Sequence, residues 1–288
     1  MKMKDLVSSK FRGRVAVIEI DSPPVNALSR KVRQGICDHL QQAIADENVA
    51  AIVLACAGRT FIAGADIREF GQPPAAPYLH DVVAALEASP KPVVAAIHGT
   101  ALGGGFEIAL GCHYRVARQD ARIGLPEVKL GLLPGAGGTQ RLPRLIGVRA
   151  ALPIIMSGEP VTADDAAGMG AVDLVVSDKL LDNAVRYSGS LLDEGAGVRR
   201  LCEAQIDPAS VPDGYFEDFM TSIARKTRGY FAPERIISAV RAAVEMDFDA
   251  GMRRERDLFM ECMQSPESLA LRHVFFAQRK AGKVKGLD

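Results

Sequence analysis

Over the first two thirds of the chain, apolar positions fall into short runs separated by amphipathic stretches. "RVAVIEID" (14–21) alternates weakly and is rich in β-branched residues, while "VAAIVLAC" (49–56) and "KPVVAAIHG" (91–99) are nearly continuous apolar runs of strand length. "HYRVAR" and "ARIGL" supply two more short strands. Between them, Ser29 can cap a helix running to about Ala45, and a second helix is predicted from about Tyr78 to Ala88, ended by Pro90. Strands that are apolar on both faces, alternating with helices, indicate a largely parallel sheet with crossover connections. Beyond Thr162 the pattern changes. "TADDAAGMG" reads as a short capped helix, "AVDLVV" as a last strand, and everything from about Asp178 onward as helix. The expected organisation is an α/β core over residues 1–190 and an all-helical appendage over residues 191–288. In that appendage Met252, Phe259 and Met263 recur at near-helical spacing, as do Leu271, Val274, Phe275 and Gln278. This leaves Arg253, Arg256, Arg272 and Arg279 for solvent or anions.

Composition narrows the function classes. A chain of 288 residues, 48% hydrophobic, can fill a sizeable core, and 35 basic residues balance 35 acidic ones. No general basic field is present to hold nucleic acid or an anionic membrane, so an anionic ligand would have to be gripped by local charges. Cys37, Cys56, Cys112, Cys202 and Cys262 are odd in number and form no CxxC pair, as expected of small core residues in a reducing compartment. The N-terminal stretch has no apolar signal region, and no apolar run reaches the roughly 18 residues of a membrane span. A cytoplasmic protein is expected.

Four segments carry unusual chemistry: "SPPVNAL", "RTFIAGADIREF", "GTALGGGFEIALGC" and "GLPEVKLGLLPGAGGTQRL". In the third, Gly103, Gly104 and Gly105 stand directly before Glu107 in an apolar run. A buried carboxylate is expensive, and glycines suit a place where bare backbone must approach something else or open a helix with its amides available. The fourth segment holds a second carboxylate, Glu127, and a second glycine cluster at Gly135, Gly137 and Gly138. From the residues alone, Glu107 could equally ion-pair in the core, Glu127 could be a solvated loop charge, and "PGAGGTQRL" could be only a helix start.

The order and spacing of these blocks, together with "SGEPVTADDAAGMGAVDLV", resemble the crotonase (enoyl-CoA hydratase/isomerase) superfamily from about Arg14 to Val176. The resemblance implies a spiral of ββα units forming two nearly perpendicular sheets, and binding of acyl-coenzyme A thioesters. It implies catalytic roles for Glu107 and Glu127, an oxyanion hole from the backbone N–H groups of Ala65 and Gly104, and a water-positioning N–H at Gly135. Coenzyme A would be met by Asn26, Ala27, Leu28, Ala63, Ala65, Asp66, Ile67 and Arg68, with the guanidinium suited to phosphate. Leu132, Leu133 and Pro134, with residues around Gln72 to Ala85, would line the acyl pocket. His98 and His113 lie in apolar surroundings and read as satisfied core histidines; neither a metal nor a redox cofactor is required, coenzyme A being part of the substrate.

The implied reaction is hydration of trans-2-enoyl-CoA in fatty-acid β-oxidation. Two alternatives stand beside it: a Δ3,Δ2-enoyl-CoA isomerase, and a non-catalytic coenzyme A- or RNA-binding protein of the same fold. The tail resembles the segment that, in bifunctional hydratase/3-hydroxyacyl-CoA dehydrogenases, leads to a dinucleotide-binding domain. The present stretch ends at Asp288 with no strand-linked GxGxxG, so a dehydrogenase domain and its NAD site are expected outside it. The tail helices are expected to fold back over the hydratase core, favouring a monomer over a trimer.

Overall fold

The computed structural model describes residues 5–66, 69, 72–73 and 75–281. Its larger sheet has six strands in the order β1 (Val7–Arg12), β2 (Val15–Ile20), β3 (Ala51–Cys56), β4 (Val93–Ile97), β6 (Tyr114–Arg118) and β9 (Leu174–Val176). The strand β1 pairs antiparallel with β2, and every later neighbour is parallel. A smaller sheet joins β5 (Thr100–Leu102), β7 (Arg122–Gly124) and β8 (Val161–Thr162). The pairs β4–β5 and β6–β7 each give one strand to each sheet, and α3 (Gly104–Gly111) follows the first of them.

The apolar runs have the predicted consequence. Side chains alternate across each strand, so Val15, Val17, Val53, Val94 and Val116 face one side with Ala184 and Leu191 of α7 (Leu180–Asp193). Ala16, Ile18, Ile52 and Leu54 face the other side, into the main core. There they join α1 (Arg30–Ala45), capped by the Ser29 hydroxyl, and α2 (Leu79–Glu87). The strand β1 was not anticipated. It lies at the sheet edge with most of its side chains at least partly exposed, so "VSSKFR" carries no readable alternation.

The main core continues past residue 190. Phe216 of α8 (Tyr215–Thr227), Ile236 and Val240 of α9 (Ala232–Glu245), and Leu258 and Cys262 of α10 (Phe248–Gln264) belong to the same apolar cluster as the sheet. Helix α9 packs on α4 (Gly138–Ile146) and α5 (Val148–Ser157), and α10 packs on α9 and α4. Helix α11 (Pro266–Ala281) corrects the predicted stripe. Val274 is 49% exposed and Gln278 points outward, whereas Arg272 is buried and donates to the carbonyls of Ser268 and Met263. The cause is a close approach: Ser268 Oγ donates to the carbonyl of Leu130, and a Cβ on Gly131 would lie 3.0 Å from Ser268 Cα. That contact turns Ser268, Leu271 and Arg272 inward. Arg253 and Arg256 are exposed as expected, and the side chain of Arg279 lies outside the described residues.

One buried ion pair ties three parts of the fold. Glu87 of α2 accepts from Nε and Nη2 of Arg141 in α4, at 3.2 and 2.7 Å, and from the backbone N–H of Cys202 at 2.9 Å. Both side chains are almost wholly buried. Removing one partner strands the other charge in the interior. Glu87→Ala is therefore expected to lower unfolding free energy by about 3–5 kcal/mol, read as a fall in the denaturant midpoint; a loss below about 1 kcal/mol would place this pair with weak surface bridges.

Candidate active site

The triple glycine has a steric explanation at each position. Gly103 has φ +55°, and a Cβ there would lie 2.8 Å from Glu127 Oε1. A Cβ on Gly105 would lie 2.1 Å from the carbonyl oxygen of Ile62, so α3 is pressed against the segment that leads to Ala65. A Cβ on Gly104 would lie 2.6 Å from Leu79 Cδ2, and its position is 3.6 Å from the backbone nitrogen of Ala65, so the Gly104 backbone lies close to the Ala65 amide. Gly104 is the first residue of α3, where a backbone N–H has no intrahelical acceptor. Among the described residues neither that amide nor that of Ala65 donates to a protein acceptor. Amides left open in this way, with the positive end of α3 behind them, are able to receive negative charge.

Glu107 stands one turn into α3 and is 2% exposed. Its Oε1 accepts from the N–H groups of Ala136 at 2.7 Å and Gly138 at 2.9 Å, at the start of α4. Burial raises its pKa above the usual carboxylate range, while the two amides and the Arg141 guanidinium oppose that rise. Glu127, in the 3-10 turn Pro126–Leu130, is in a different situation. Part of the residue is accessible, but Oε2 is buried with no hydrogen-bond partner among the described residues. Burial first, and the nearby Glu107 charge second, push its pKa well above the ordinary value. The two carboxyls thus differ in character: one is solvated by amides, the other by almost nothing.

A third buried carboxylate, unforeseen in the sequence, adjoins the same loop. Glu255 of α10 is 1% exposed and accepts from the N–H groups of Gly137 at 2.7 Å and Thr139 at 2.9 Å, and from the Thr139 hydroxyl at 2.5 Å. Burial and the charge of Glu107 push it up to about 8. Its sequence setting, "MRRERDLF", reads as a charged surface stretch. The only available signal was its spacing, three residues after Met252 and four before Phe259, on the apolar face of the helix.

The other expected residues are distributed as follows. Leu28 borders the amide pair: its N–H donates to Gly64, and its Cδ1 lies 3.4 Å from the Gly104 Cβ position. Asn26 is buried, and its side chain is committed internally, donating to the carbonyls of Ala57 and Thr60 and accepting from the Ser22 N–H. It shapes the loop, leaving only its backbone to meet a ligand. Ala27 and Ala63 are half-buried, Ala65 is exposed, and Asp66 is buried. Ile67 and Arg68 lie outside the described residues. Leu132, Leu133 and Pro134 are buried beside the α4 loop, and the Gly135 N–H donates to no protein acceptor among the described residues. His98 and His113 are held by backbone: His98 Nε2 meets the Gly58 carbonyl, while His113 accepts from the Val93 N–H and donates to the Glu87 carbonyl. Among the described residues no helix is long and apolar enough to cross a membrane.

This geometry has relatives. Residues 10–212 match the family model described as enoyl-CoA hydratase/isomerase. The human peroxisomal bifunctional enzyme is 43% identical over 276 residues, covering 96% of this chain and 38% of its own length. The chain therefore spans under two fifths of that relative. Among solved structures, an enoyl-CoA hydratase subunit I from Geobacillus kaustophilus HTA426 is 32% identical with a TM-score of 0.61, covering 95% of each chain. The carnitinyl-CoA hydratase from Mycobacterium avium is 29% identical with a TM-score of 0.67, covering 96% of this chain and 97% of that one. The fold is the crotonase fold, and the chain belongs to the enoyl-CoA hydratase/isomerase family.

Proposed function

We propose that this chain hydrates trans-2-enoyl-CoA to 3-hydroxyacyl-CoA in β-oxidation, as the hydratase part of a bifunctional protein whose dehydrogenase domain lies outside this stretch. The observation that carries the reading is the unequal carboxyl pair, Glu107 bound by two amides and Glu127 with an Oε2 that finds no partner among the described residues, beside two N–H groups that donate to none of them. Glu107 is the better-stabilised anion and takes a proton from water as its oxygen bonds to C3. Glu127, kept protonated by burial, gives its proton to C2. Negative charge that gathers on the thioester oxygen is received by the Ala65 and Gly104 amides, typically worth a few kcal/mol per donor. The water's hydrogen and hydroxyl are thus added across the double bond, and the pair resets by returning a proton from Glu107 to Glu127 through solvent or substrate water.

The coenzyme A contacts are the backbone of Asn26 to Leu28 and the Ala63 to Arg68 loop, with the acyl chain running toward Leu132, Leu133 and Pro134 and the Gly135 N–H helping to hold water. No cofactor is invoked, since hydration leaves no electrons to accept. The five unpaired cysteines suit a reducing compartment, which we take to be the cytoplasm. An isomerase side activity is favoured by one feature: a single orphaned carboxyl beside an oxyanion hole suffices to shuttle one proton between C4 and C2.

Three outcomes test this reading. Glu107→Gln and Glu127→Gln should each lower kcat on crotonyl-CoA by about a hundredfold or more while acyl-CoA binding survives; near-wild-type turnover by either would overturn the assignment. Gly104→Pro deletes an oxyanion donor at the first position of a helix, where proline is well tolerated once Leu79 Cδ2 gives way to the ring, and should cost about 10²–10³ in kcat. Circular dichroism identical to wild type would tie that loss to the donor.

The pH dependence follows from the directions of the shifts. Activity needs Glu107 ionised, and its pKa is raised, so the acid limb of kcat/KM should lie above the ordinary carboxylate pKa of about 4.3. Activity also needs Glu127 protonated, and its pKa is raised further, so activity should persist through neutral pH and fall on the alkaline side as that proton leaves. A profile flat down to pH 4 would contradict the pairing.

A further inference from the structure

The loop from Gly135 to Thr139 distributes its amides in strict alternation. Ala136 and Gly138 donate to Glu107, while Gly137 and Thr139 donate to Glu255. Two carboxylates from helices far apart in the chain therefore grip opposite faces of one short backbone segment. The grip is reinforced on the α10 side. A Cβ on Gly135 would lie 2.7 Å from the ring of Phe259, and one on Gly137 would lie 3.2 Å from the sulfur of Met252. Met252, Glu255 and Phe259 form one face of α10, laid directly on the glycines. On the α4 side, Arg141 Nη1 donates to the Ala136 carbonyl at 3.2 Å, which fixes that peptide from its other end.

We infer that Glu255 is a positioning residue for the reaction: by anchoring the Gly137 and Thr139 amides and the Thr139 hydroxyl, it aims the Ala136 and Gly138 amides at Glu107. The inward face of α10 is thus part of the active-site framework. Glu255 touches no reacting atom in this scheme. Its effect is exerted through the backbone, and it matters because a general base displaced by a fraction of an ångström loses its attack geometry. The inference rests on the hydratase reading for its kinetic arm only.

The test compares Glu255→Gln with wild type in the full chain. Glutamine keeps the size, but it sets an N–H₂ group where one of the Glu255 oxygens accepts, against either the Gly137 N–H or the Thr139 N–H. Per binding site, counted by calorimetric titration with a saturated acyl-CoA, kcat on crotonyl-CoA should fall about tenfold or more, with KM within about threefold. Placed in a Glu107→Gln background, the same change should cost less than about threefold further, because the group it acts through is already disabled.

Amide hydrogen exchange gives a readout that does not depend on the reaction. Exchange at Ala136 and Gly138, which do not touch Glu255, should speed up in Glu255→Gln. If Glu255→Gln does not fold, Thr139→Val, which deletes one donor to the carboxylate, should show the same kcat loss and exchange increase to a smaller degree. Full kcat per binding site, a loss confined to KM, full multiplicativity with Glu107→Gln, or unchanged exchange would each overturn the inference. A wild-type chain without hydratase activity would instead overturn the hydratase reading, leaving the exchange experiment to judge the anchoring.

Discussion

A carboxylate almost wholly withdrawn from solvent must find donors inside the protein, and at Glu107 those donors are two peptide N–H groups of a glycine-rich loop. Much of the architecture can be traced from that requirement. The loop must expose amides on two faces, which calls for glycines at 137 and 138 and for a helix, α4, starting there. Helix α4 must then be immobile, and the Arg141 guanidinium ties it to α2 through Glu87 and to the loop through the Ala136 carbonyl. Helix α3 must bring Glu107 to the loop while keeping its own first amide beside Ala65, which requires the contact of Gly105 with Ile62. Three successive chain segments are thus fixed by a few polar contacts in an otherwise apolar interior, where each such contact is stronger than it would be in water.

The same environment separates the two glutamates chemically. Glu107 has charge-stabilising donors and a nearby guanidinium; Glu127 has an oxygen with no partner among the described residues and another carboxyl for a neighbour. Two side chains of identical intrinsic acidity are thereby shifted unequally, Glu127 further upward than Glu107, by their surroundings alone. Because they are close enough to interact, the protons belong to the pair, and the asymmetry of donors decides where the first one resides.

What is local in this fold is legible in the sequence. The strands β2, β3, β4 and β6 were legible because apolar runs of strand length repeat between capped helices, and the pairing of three glycines with Glu107 was legible because both features sit within five residues. The edge strand β1 was not, since its exposed side chains have no burial to record. Glu255 was hidden for a different reason: it lies 118 residues from Gly137, within a helix whose arginines and aspartate mimic a solvated face. The inward turn of Arg272 and outward turn of Val274 were lost in the same way, because the rotation of α11 is set by the approach of Ser268 to Gly131 and not by its own periodicity. Local pattern fixes which residues form an element; which face the element presents depends on partners that the pattern does not contain.

The sequence separation between the α4 loop and Glu255 also bears on synthesis. A chain elongating at about 5–20 residues per second takes roughly 6–24 s to make the 118 residues between Gly137 and its acceptor. The sheet units, built from near neighbours, can condense on the ribosome during that interval, while the loop's outward amides wait for α10. A nascent chain would then hold much of its sheet before its site is braced, and the geometry around Glu107 is completed only once α10 has emerged.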